Sequence, residues 1–87
     1  LISSAELQAI SLREQIALQE EVVASNQQIF DQISRVVEQG YVSKVEFERR
    51  RQTLLGSQQS LASLRQRLTA TISEAQQAQA QLGSVGI

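Results

Sequence analysis

Two apolar ladders with a seven-residue step run in opposite directions from one short turn. Counting back toward the start, Val37, Phe30, Val23, Ile16, Ala9 and Ile2 lie seven apart. Counting forward, so do Phe47, Leu54, Leu61, Leu68, Ala75 and Leu82. An apolar residue at every seventh place marks a helix that buries one stripe against a partner helix. The residue numbers of each matched pair add to 84. The expected fold is therefore all-α: two long antiparallel helices forming a coiled-coil hairpin centred on Val42.

A second line of pairs on the same count matches its exceptions as well. Asn26 comes opposite Gln58, Gln19 opposite Arg65, and Leu12 opposite Ile72. Polar residues in a seam cost stability but select one register over its neighbours. Ile33 against Arg51 and Ala5 against Gln79 are the imperfect pairs, and the long stem of Arg51 can cover an apolar neighbour while its head stays wet.

Local signals place the elements. The first helix is expected over about 4–39, the turn at 40–42, the second helix over about 43–82 and a tail at 83–87. Ser3 is either an N-cap, with Glu6 completing a capping box and Ile2 and Leu7 a staple, or a passing residue of a helix that begins upstream. Gly40 can take the left-handed conformation that closes a helix, and Tyr41 would then pack back on Val36. Val42, Ser43, Glu46 and Phe47 form a staple around an S-x-x-E box, which makes Ser43 the N-cap of the second helix. Gly56 either weakens its turn or admits a close approach. The glutamine-rich stretch Gln76 to Gln81, with Ala9 and Ala75 on the seam nearby, predicts that the open end is the loosest part.

Composition removes most chemistry. The 87 residues include no His and no Cys, so the usual general base, the thiol nucleophile and the common zinc ligands are all missing. Carboxylates one or two places apart on a helix, such as Glu20 with Glu21 or Glu46 with Glu48, point to different sides, and a two-helix rod has no pocket to shift their pKa values. No enzymatic role, catalytic residue, cofactor or metal is expected. The net charge of -1 gives no pull toward nucleic acid, and Arg49, Arg50 and Arg51 fan around the helix instead of forming one stripe. No apolar run approaches the roughly 20 residues that span a bilayer. A chain that starts without Met and stops in mid-heptad is expected to be a fragment of a larger protein.

The turn carries more apolar surface than a reversal needs: Tyr41, Val42 and Val45 sit where nothing else in the chain can fully cover them. They plug the end of the seam, form a docking surface, or do both. The segment from Gly40 to Glu48, Gly-Tyr-Val-Ser-Lys-Val-Glu-Phe-Glu, resembles the hairpin tip of bacterial membrane fusion proteins, or periplasmic adaptors, of the haemolysin D type. The likeness extends over the whole chain as a helical hairpin, while its specific part is this short turn. The family's tip pattern is Arg, then Leu four residues on, then Ser seven after that. Ser43 fits the Ser, Val36 stands at the Leu position, and Gln32 stands where Arg is expected, with Arg35 a turn away.

The resemblance implies a hairpin that projects from a lipoyl-like domain and meets a TolC-type outer-membrane channel with its tip. The docking residues it implies are Gln32, Arg35, Val36, Gly40, Tyr41, Val42 and Ser43. It further implies an inner-membrane transporter as partner, an ABC-type exporter of a type I secretion system above all, reached through lipoyl and membrane parts outside this chain. A homo-oligomer in the periplasm follows, with the parent anchored in the inner membrane. The alternative is a structural antiparallel coiled-coil scaffold or self-association module whose tip is only a turn.

Overall fold

The computed structural model describes residues 2–85 and the side chains of residues 2–83. Two helices make up the fold, α1 over Ser4–Val37 and α2 over Lys44–Val85. At 1.5 Å per residue they are about 51 and 63 Å long. They pack against each other along one seam, and the result is the all-α hairpin that the opposed ladders predict.

Leu12, Ala9 and Ile16 are buried on α1, and Leu54, Leu61, Ser57 and Thr71 on α2. The steps 9, 12, 16 and 54, 57, 61 alternate three and four, which averages the 3.5 needed to keep one stripe facing a partner. Each buried leucine contributes about 2 kcal/mol of apolar burial. No large side chain is fully enclosed among the described residues, because a two-helix seam covers each side chain from one direction only.

The second line of α2 differs from the expectation by one residue. Arg51, Gln58 and Arg65 face solvent, whereas Arg50 and Leu64 are half-buried and Ser57 and Thr71 buried. The cause is symmetry. Two antiparallel right-handed helices are related by a two-fold rotation perpendicular to their axes, which reverses direction in space but preserves handedness and the N-to-C order of the steps, and not by a reflection. The step of three from Ala9 to Leu12 on α1 must therefore recur as a step of three from Leu54 to Ser57 on α2, whereas the reflected count turns it into a step of four.

The pairing also moves toward the tip. Phe30 lies against Phe47, ring centroids 5.1 Å apart and tilted by 39°, where the reflected count sets Phe30 against Leu54. Gln19 donates from Nε2 to the Ser57 carbonyl at 3.0 Å, where the same count sets it against Arg65. Non-helical backbone covers up to about 3.3 Å per residue against 1.5 Å in a helix. The chain that returns through Tyr41, Val42 and Ser43 thus brings α2 in beside the last turns of α1. In consequence α2 overshoots α1 at the open end, and every residue from Gln76 to Gly83 is exposed, Leu82 at 71%.

The helix ends follow local chemistry with one correction. Ser3 is the N-cap of α1, its Oγ accepting from the Glu6 amide at 3.1 Å, so α1 starts here. Ile2 and Leu7 both remain 56% exposed, and their staple buries little. Gly83 does not open a tail. Helix α2 runs through it to Val85, since glycine lowers helix propensity without forcing a stop. Gly86, the other expected stop, lies outside the described residues.

The seam does not loosen steadily toward the open end: Ala9, Leu12, Ile16 and Thr71 are buried there, whereas Val23, Phe30, Val37 and Phe47 nearer the tip are half-buried, and only the overshooting end of α2 is uncovered. Two open clefts flank the seam in this half. One, of about 360 Å³, is walled by Gln8, Leu12 and Gln15 with Arg67, Thr71 and Glu74. The other, of about 280 Å³, is walled by Ala9, Ile10 and Arg13 with Ile72, Ala75 and Gln79.

Candidate docking tip

Gly40 turns the chain. Its φ of 81° lies in the left-handed region, and it is the one described residue with that backbone. The amides of Gly40 and Tyr41 donate to the carbonyls of Val37 and Val36 at 3.1 and 3.2 Å, the crossed pair of bonds that closes a helix in the Schellman manner. Arg35 in the last turn of α1 complements the negative end of the helix dipole.

Ser43 restarts the helix. Its Oγ accepts from the Glu46 amide at 3.1 Å and its carbonyl from the Phe47 amide at 3.0 Å. The Glu46 carboxylate turns to the arginines, accepting from Arg50 Nε at 3.1 Å and lying 3.4 Å from the Arg49 guanidinium. Glu48 holds Arg51 in the same way at 3.1 Å. The basic run is thus laced to two acids of its own helix, in partly exposed pairs worth a few tenths of a kcal/mol each. Ser43→Ala is expected to cost about 1 kcal/mol. A urea titration checks this as a lower midpoint at unchanged slope, and Ser43→Asp should restore the midpoint because its carboxylate also accepts the first-turn amide.

The expected docking residues separate into a frame and a face. Gly40 and Ser43 fix the backbone. Val36, half-buried, lends its carbonyl to the closure, and Val42 is half-buried at the end of the seam. Tyr41 does not pack back on Val36. Its side chain is 78% exposed, since the bond that ties Tyr41 to Val36 is made by the main chain alone. Val45 is 74% exposed beside it. Gln32 and Arg35 are exposed on the last turns of α1.

Sequence reasoning passed over the support beneath this face. The ladder count matches Phe30 and Phe47 each to an aliphatic partner, yet they stack on each other and clamp the tip half of the seam. The available signal was composition: the chain has two phenylalanines, both on the apolar ladders within two heptads of the turn. Among the described residues no three His, Cys, Asp or Glu side chains gather as metal ligands would, and no helix is long and apolar enough to cross a membrane.

These features define an antiparallel two-helix hairpin with a tightly capped, apolar tip. Compared with known proteins, the chain matches no family model, no curated protein and no solved structure.

Proposed function

We propose that this chain is the helical hairpin of a periplasmic adaptor, a membrane fusion protein that links an inner-membrane transporter to a TolC-type outer-membrane channel by docking through the hairpin tip. The carrying observation is the exposure of Tyr41 and Val45 at the blunt end of a rod whose backbone is fixed on both sides, by the Gly40 closure and the Ser43 cap. A reversal alone gains nothing from an exposed tyrosine and valine at that place, whereas a contact surface does. The tip sequence from Gly40 to Glu48 supports the same reading through its resemblance to adaptor tips. The hairpin does no covalent chemistry on this proposal. Several copies stand side by side in the periplasm and present their tips as a ring, and the transporter, of the ABC type in a type I secretion system, is joined through parts of the parent outside this chain.

Site-specific photocrosslinking in the bacterial envelope tests it, with a photoreactive residue at Val42 and a control at the exposed arm residue Gln66. The expected result is an adduct to an outer-membrane channel from Val42 and none from Gln66. Adducts from both positions only to copies of the same protein would overturn the adaptor assignment in favour of a self-associating scaffold.

A further inference from the structure

We infer that α2 carries a built-in bending point at Gly56–Ser57. Two side chains intrude on the main-chain ladder at this place. Ser57 Oγ donates to the Leu54 carbonyl at 2.8 Å, and Gln19 Nε2 donates across the seam to the Ser57 carbonyl at 3.0 Å. Those carbonyls are the helical acceptors for the amides of Gln58 and Leu61, four residues on. Each therefore has a second donor. When the helical bond opens, the carbonyl keeps a partner, and the opening avoids the cost of a buried unsatisfied acceptor.

Gly56 adds two further features. It is the poorest helix former of this turn, and the space its missing Cβ would occupy is empty, with nothing within 4 Å. Water can reach the backbone there. Glycine–serine pairs and side chains inserted into the ladder are the recognised causes of helix kinks, and here both fall on consecutive residues. One turn earlier, Thr53 also bonds back to the carbonyl of Arg49 at 3.0 Å, extending the softened stretch toward the tip. The second line of the seam beside it is polar on both helices, with Gln19 and Asn26 on α1 and Arg50 and Ser57 on α2. The bend falls between the buried Leu54 and Leu61, so each stays packed on its own side of it. Helix α2 can then flex at this place while the Phe30–Phe47 clamp holds its tip half against α1. This holds for an adaptor and a scaffold alike.

Amide hydrogen exchange on the intact chain tests the bending point. After correction for intrinsic rates, Gln58 and Leu61 are expected to exchange at least about tenfold faster than Arg51 and Leu68, two turns to either side, because a local opening bypasses the global one. Gly56→Ala should bring the four rates together, beyond any slowing shared by all of them. Gln19→Leu should slow Leu61 more than Gln58, since it removes the spare donor on Ser57 alone. Equal protection of the four amides in the unaltered chain would overturn the inference. So would a Gly56→Ala variant that slows all four by the same factor, which reports global stability and no local device.

Discussion

Leu61→Ala is expected to lower the unfolding free energy of the hairpin by about 2–3 kcal/mol, in the range found for truncating a buried leucine. Leu61 is 7% exposed and Leu54 on the preceding heptad 6%, which makes this stretch of α2 the best-covered apolar part of that helix. A single seam cannot collapse around the lost side chain as a globular core can, because only one helix faces it. A small domain has a total stability of several kcal/mol, so the loss is a large share of what holds the two helices together. Urea unfolding followed by far-ultraviolet circular dichroism measures it, with Ser60→Ala on the exposed face as a control expected within about 0.5 kcal/mol of the unaltered chain. A midpoint independent of protein concentration identifies the transition as that of a monomeric hairpin, since pairing between chains would make the midpoint rise with concentration. If Leu61→Ala unfolds at the unaltered midpoint, the seam does not hold the fold.

The elements were legible in the sequence wherever the signal is local. Gly40 and Ser43 lie within a few residues of the groups they satisfy, and both do in the structure what their types predict. The strong apolar line was legible too, because a period of seven needs only one helix to be read at a time. What the sequence hid was the relation between the helices. Reflection of one ladder onto the other is the simplest way to count pairs, yet it sets Arg51, Gln58 and Arg65 inward when rotation sets Arg50, Ser57, Leu64 and Thr71 there. The axial offset was hidden for a different reason. It depends on how far the non-helical residues between Gly40 and Ser43 carry the chain, and residue types do not state that distance.

The same division applies to the tip. That Tyr41, Val42 and Val45 would sit at the end of the rod followed from the position of the turn. Which of them would be covered did not, because that depends on the side-chain directions left by the Gly40 closure: Val42 turns toward the seam, and Tyr41 and Val45 turn away. Composition also masked the Phe30–Phe47 clamp, since a ladder that treats all apolar residues alike gives no preference to an aromatic pair.

Phe47→Ala is expected to cost about 2–3 kcal/mol, somewhat below the range for a fully buried phenylalanine because the ring is half-buried against Phe30. The loss has two parts: the apolar area of the ring, and about 0.5–1.5 kcal/mol of specific contact between aromatic faces at this separation. A double-mutant cycle separates them. Phe30→Ala combined with Phe47→Ala should fall short of the sum of the single losses by that specific term, whereas Leu54→Ala combined with Phe30→Ala should come closer to additivity. The reflected register reverses the assignment, because it sets Phe30 against Leu54 and Phe47 against Val37. The cycle therefore reads the register in solution. Coupling concentrated in Phe30 and Phe47 places α2 where the 5.1 Å stack puts it. Coupling concentrated in Phe30 and Leu54 would slide α2 by a heptad, cover the exposed residues at the open end, and take the clamp away from the tip.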